Sequence, residues 1–210
     1  MWEKTKGDGL TPPSNIGNLT GMAFTRFTQI RMFFLDALKD PNGDESDPWH
    51  PIQHFVNEFN ANRADKIAAS IYKTMDESMS PYRPRKTKTG NLPHLSYILR
   101  KPEPLGTEFK SVACAKTKIM LHLEIQKGKS VMASSAYQDE LGATAACVLR
   151  MAVATKGCGR DECDRKRDIY ITDSWFSSVN STEQLHKHGM DMIGSCKTAH
   201  KFSPTKVIKC

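Results

Sequence analysis

The stretch Phe109-Lys110-Ser111-Val112-Ala113-Cys114-Ala115-Lys116-Thr117-Lys118-Ile119-Met120-Leu121-His122-Leu123-Glu124-Ile125-Gln126 decides the fold. Its second half alternates Ile119, Leu121, Leu123 and Ile125 with other residues, the period of a strand with one buried face. Residues 109–115 form another strand-like run, and only Lys116-Thr117-Lys118 separates the two, so a hairpin joins them. Downstream, residues 142–154 are rich in Ala, Val, Leu and Met nearly all round, which predicts a buried helix stopping near Gly157. Ile169-Tyr170-Ile171 reads as a short strand ending on Thr172-Asp173. Residues 181–188 read as a helix with Gly189 past its end, and 190–196 as a last strand. Upstream, residues 67–75 fit a short helix or a strand and run directly into Asp76-Glu77-Ser78.

Two helices precede this alternation. Apolar residues recur at Phe24, Phe27, Ile30, Phe33, Phe34, Ala37 and Leu38, the three-and-four spacing of an amphipathic helix. Turn residues from Asp40 to Asp47 break it, and Asp47 can cap a second helix showing Ile52, Phe55, Val56 and Phe59 on one face. Both stripes are expected to be helix-packing core. The layout is a loose lead-in over 1–20, a helical segment over 21–66, and an α/β portion over 67–210. Helices, strand, hairpin, helix, strand, helix and strand in that order predict a mixed sheet flanked by helices.

The chain has 210 residues, 39% apolar and 25% charged, enough to build a core and too apolar for general disorder. Apolar runs such as Met32-Phe33-Phe34-Leu35 are far too short to span a bilayer, so no membrane partner is expected. The polar start Met1-Trp2-Glu3-Lys4-Thr5-Lys6 carries no secretory signal. Of six cysteines only Cys158 and Cys163 lie close, which is half of a zinc site, and reduced thiols are expected. The net charge of +7 is concentrated: Arg83, Arg85, Lys86, Lys88, Arg100, Lys101, Lys110, Lys116 and Lys118 face only Glu103 and Glu108 between positions 83 and 118. Such a strip is either a solvated loop or a surface that neutralises phosphates on nucleic acid. Its tightest run, 83–88, also matches a short nuclear localisation signal.

Asp76 and Asp173 each close a short apolar strand candidate. In α/β sheets ligand sites gather at strand ends, and two carboxylates brought together there favour a hard divalent cation. An Asp after a strand is more often a turn former or cap, so spacing alone leaves the bland reading ahead.

The local words change that balance. Asp76-Glu77-Ser78-Met79-Ser80-Pro81, then Arg100-Lys101-Pro102 with Gly106 and Lys110, then Ile171-Thr172-Asp173-Ser174-Trp175-Phe176-Ser177-Ser178 occur in that order. Together they resemble the transposase domain of the piggyBac family, including its domesticated relatives. Met22-Ala23-Phe24-Thr25-Arg26-Phe27-Thr28-Gln29-Ile30 and Gly194-Ser195-Cys196-Lys197 extend the resemblance to about residues 20–205. Ser174 stands where the family usually has Asn.

The resemblance implies a partial ribonuclease-H-like mixed sheet that cuts and joins DNA using magnesium or manganese. It gives Asp76 and Asp173 catalytic, metal-holding roles. Arg83, Arg85, Lys86, Lys88, Arg100, Lys101 and Lys110 become contacts to the DNA backbone, with a nuclear address. It also implies partnership with a second copy of the chain or with a full-length transposase. Trp175 and Phe176 are assigned to packing beneath the Asp173 loop. The family's third Asp lies beyond Cys210, so the sequence reads as a core truncated at both ends, inactive alone. Three readings follow: an enzyme completed by a third ligand from elsewhere, a domesticated DNA- or protein-binding remnant, or a decayed reading frame.

Overall fold

A computed structural model describes residues 21–37, 43, 46–82, 93–159 and 166–195. The side chains of 31–37, 51, 64 and 65 are outside that description. The chain divides into two compact units, Met1–Phe55 and Val56–Cys210.

Helix α1 (Phe24–Ala37) occupies the first predicted span, and α2 (His50–Lys66) the second. Asp47 starts the α2 turn as expected: its Oδ1 accepts from the Trp49 amide at 2.9 Å, and its carbonyl accepts from His50 at 3.0 Å. The first three positions of the α1 stripe are a correction; the side chains of the rest lie outside the described residues. Phe24, Phe27 and Ile30 are exposed. Helical spacing gathers apolar residues on one face, but it does not by itself bury them.

In the second unit six strands make one mixed sheet: β1 (Tyr72–Pro81), β2 (Ser96–Tyr97), β3 (Leu105–Cys114), β4 (Met120–Ile125), β5 (Ile169–Thr172) and β6 (Asp191–Gly194). The order is β2-β3-β1-β5-β6, with β4 also paired to β3. The predicted hairpin is present: β3 and β4 are antiparallel, and the joint turns at Lys118, whose φ is 62°. β1 runs antiparallel to β3 and parallel to β5, and β5 runs parallel to β6. This is the ribonuclease-H-like arrangement the resemblance implied.

Helices α3 (Lys129–Met132) and α4 (Gln138–Leu141) follow the hairpin, with four residues each and no buried residues. They leave no periodic signal in the sequence. α5 (Ala143–Thr155) is the predicted buried helix, and α6 (Val179–Lys187) is the next. α6 is capped by Ser178, whose Oγ accepts from the Ser181 amide at 3.0 Å.

One face of the sheet carries the core. Met75, Val112, Cys114 and Tyr170 pack with Cys147, Val148, Leu149, Met151 and Ala152 of α5 and with Leu185 of α6. Tyr170 anchors the contact: its hydroxyl donates to the Ala152 carbonyl at 2.9 Å and meets Thr155 Oγ1 at 2.9 Å. At the β4 edge the Asn60 amide replaces a neighbouring strand, donating to the Leu123 carbonyl and accepting from its N–H, both at 2.9 Å.

Candidate active site

β1 supplies Asp76 and the turn after β5 supplies Asp173. The sequence-based expectation that Asp76 closes its strand is corrected, because β1 continues to Pro81 and Asp76 sits in its interior. Polar residues remain in the ladder here because they alternate: Lys73, Met75 and Glu77 are buried, whereas Tyr72, Asp76 and Ser78 are exposed and Thr74 is half-buried. Asp173 does follow its strand directly.

The register brings the two together. The parallel pairing of β1 with β5 ends at Met75 opposite Thr172, so Asp76 and Asp173 are the next residues on adjacent strands. Neighbouring strands lie about 4.8 Å apart; alternation from Thr74 carries Asp76 onto the open face, and Asp173 starts the turn that leaves the adjacent strand end.

Local bonding holds each one. Asp173 Oδ1 accepts from the Trp175 amide at 2.8 Å and the Phe176 amide at 3.4 Å. The Asp173 carbonyl accepts from the Ser177 amide at 3.0 Å and hydroxyl at 2.8 Å. Asp76 Oδ1 accepts from the Glu77 amide at 2.8 Å, and its carbonyl accepts from Ser111 Oγ at 3.1 Å. β6 approaches closely because Gly194 lacks a side chain: a Cβ there would strike the Ser177 and Thr172 hydroxyls.

The donors present are carboxylate oxygens, which suit a hard divalent cation better than a soft one. Among the described residues no three His, Cys, Asp or Glu side chains gather closely enough to hold a metal ion together. A cavity of about 630 Å³ lies between α6 and β6, lined by Val179, Thr182, His186 and Met192 among others; Asp76 and Asp173 do not line it.

The basic strip divides. Arg83, Arg85, Lys86 and Lys88 lie outside the described residues. Arg100 bonds Glu77 yet keeps 61% of its side chain exposed, and Lys101 Nζ lies 3.4 Å from the same carboxylate. Burial pushes the Glu77 carboxyl up, but the charges of Lys101, Arg100 and Lys110 outweigh it and hold the group below its usual range. Lys110 is 2% exposed, with Nζ 2.6 Å from Glu108 and 3.5 Å above the centre of the Trp175 ring. Its charge is spent inside the protein, so its expected contact to DNA gives way to a packing role. The signal was present in the sequence: Lys110, Val112 and Cys114 alternate along β3, which points all three to the core face. Phe176 is fully buried and Trp175 packs beside it edge to face at 4.7 Å, as the packing assignment required.

Among known proteins, the family described as Transposase IS4 matches residues 1–209. No curated protein matches the chain in sequence. One solved structure, a piggyBac transposase synaptic complex with hairpin DNA, matches 79% of this chain with a TM-score of 0.58 and 18% identity. The chain spans 31% of that protein's length.

Proposed function

The chain belongs to the Transposase IS4 family, the IS4/piggyBac-type transposases, and from that membership we propose that its sheet is a DNA strand-cleaving and strand-joining core. The observation that carries the proposal is the adjacency of Asp76 and Asp173, side by side on parallel strands. In this reading the two carboxylates would be ligands to magnesium or manganese. A bound ion would supply electrostatic stabilisation at the oxygens of the scissile phosphate. Asp76 holds from the rigid interior of β1, and Asp173 from a turn fixed by four hydrogen bonds. Two carboxylates are few for a cation that demands near-octahedral oxygen geometry, so a third ligand would come from a partner chain or from another residue of this chain. Arg100, Lys101, Lys116 and Lys118, with Arg83, Arg85, Lys86 and Lys88, approach the phosphate backbone, and the work belongs in the nucleus.

The concentration of the whole net charge between positions 83 and 118 favours a second reading, nucleic-acid binding without catalysis. Manganese titration followed by electron paramagnetic resonance separates the two. Wild type is expected to bind manganese, and Asp76→Asn and Asp173→Asn to lose that binding. Equal binding by all three proteins would remove the metal site and leave the second reading. On supercoiled plasmid the 210-residue chain alone is expected not to nick; nicking that Asp173→Ala abolishes would place a third ligand within it.

A further inference from the structure

We infer that Lys110 is a positioning residue for Asp173, acting through Trp175 from the opposite face of the sheet; the inference rests on the metal-holding role proposed for Asp76 and Asp173. The adjacent β3 residues Lys110 and Ser111 hold both carboxylate-bearing segments. Ser111 faces the open side and donates to the Asp76 carbonyl at 3.1 Å. Lys110 faces the core side and lies opposite Glu77 in the β1 ladder. Its ammonium sits 3.5 Å over the Trp175 ring and 5.2 Å from the centre of Phe176.

Trp175 and Phe176 are the residues whose amides Asp173 Oδ1 accepts. Fixing the rings therefore fixes the N–H groups that orient the carboxylate. A lysine withdrawn from water normally costs stability unless it is paired. Here Glu108 at 2.6 Å supplies the counter-charge and the ring supplies a second attraction, so the ammonium is held at a defined point. An aliphatic side chain could fill the same space without that directional hold.

The test uses the full chain as wild type, Lys110→Met, Lys110→Arg and the double variant Glu108→Gln with Lys110→Met. The double variant leaves no unpaired carboxylate, so it keeps the question open to measurement if the single variant fails to fold. Leu121→Ala, a fully buried change on β4, controls for general destabilisation. Manganese affinity, the urea midpoint and hydrogen exchange at the Trp175 and Phe176 amides are read for each. Loss of an orienting partner to a metal ligand typically weakens binding about 10- to 100-fold, and the methionine variants should fall in that range with faster exchange at those two amides. Lys110→Arg should restore most of both, and Leu121→Ala should lower the midpoint without moving either. Manganese affinity unchanged in Lys110→Met, with Asp173→Asn abolishing it, would overturn the inference and keep the metal site. Absence of manganese binding in wild type would overturn the metal site; exchange at Trp175 and Phe176 would still decide whether Lys110 holds the turn.

Discussion

The two faces of β1 treat charge in opposite ways. On the core face every charged residue of the strand is paired: Lys73 with Asp168 at 2.6 Å, and Glu77 with Arg100 and Lys101. Beyond β1 the pattern repeats, with Lys110 on Glu108 within β3 and Arg150 of α5 on Glu124 of β4 at 2.8 Å. On the open face Asp76 stands beside Asp173, like charge next to like charge, and neither has an ion-pair partner among the described residues. Pairing is the rule for charges withdrawn from water. Two like charges placed together serve the fold less well than a pair, so under the proposed function the difference separates charges kept for stability from charges kept for chemistry.

The largest effect should come from breaking the core face. Lys73 and Asp168 are both fully buried, and Asp168 Oδ2 also accepts from the Gly157 amide at 2.7 Å. Asp168→Ala leaves a buried ammonium and an unmet N–H, and should cost about 3–5 kcal/mol in urea denaturation. Replacing both partners, Lys73→Met with Asp168→Leu, should recover most of that loss. A single variant as stable as wild type would mean that the core-face pairs do not support the fold.

His122 tests the same face by pH. It lies opposite Val112 in the β3–β4 ladder, and its Nδ1 is buried without a hydrogen-bond partner. Burial drives its pKa down to about 4; nearby Glu124 pulls upward and Arg63 downward. Between pH 6.5 and about 4 the unfolded chain takes up a proton that the folded chain refuses, so stability falls as pH falls through that window. The loss should reach roughly 2–3 kcal/mol, and His122→Leu should flatten it. Glu77 adds a separate acid limb. Its folded pKa is held down, so the stability it contributes is present above the ordinary carboxylate range and lost as pH falls below it. A wild-type urea midpoint level from pH 6.5 to 4.5 would refute the His122 assignment.

These electrostatic details mark the limit of what the sequence exposes. The hairpin, the buried α5 helix, β5 and α6 are legible because their hydrophobic periods are strong and their turns fall where the period stops. Asp76 and Asp173 are legible as residues, through the order of their motifs. Their adjacency is a property of strand register, set by long-range pairing that no local word encodes. β1 runs further than its local sequence suggests, because Glu77, Ser78 and Ser80 look like loop and only the neighbouring strand and its cations make them strand. At Phe24, Phe27 and Ile30 the α1 period misleads for the converse reason: period reports amphipathicity and does not by itself report burial.

A smaller effect separates the two halves of the basic strip. If about four to six cations contact phosphate, duplex DNA affinity should fall with a log–log salt slope near −4 to −5. Replacing Arg83, Arg85, Lys86 and Lys88 with Ala should remove about 3–4 of that slope. Lys110→Met should leave the slope unchanged, because its ammonium is already paired inside the protein. A slope reduced equally by Lys110→Met would show that this buried lysine is released to the DNA after all.

The smallest effect sharpens the comparison most. Asp76→Asn changes an exposed side chain with no ion-pair partner among the described residues, beside another carboxylate. Surface changes away from packing and pairing usually stay within about 0.5 kcal/mol, and relief of like-charge repulsion gives the change a stabilising sign. The urea midpoint of Asp76→Asn should therefore equal or slightly exceed that of wild type without metal. Asp173→Asn should behave similarly, since its side-chain oxygen still accepts the Trp175 amide, whereas Asp173→Ala loses that acceptor and about 1 kcal/mol. Added manganese should raise the wild-type midpoint, because a ligand that binds the folded state alone stabilises it, and should leave Asp76→Asn where it was. A marked loss of stability in Asp76→Asn without metal would make this carboxylate structural. The open face of β1 would then follow the same rule as the core face.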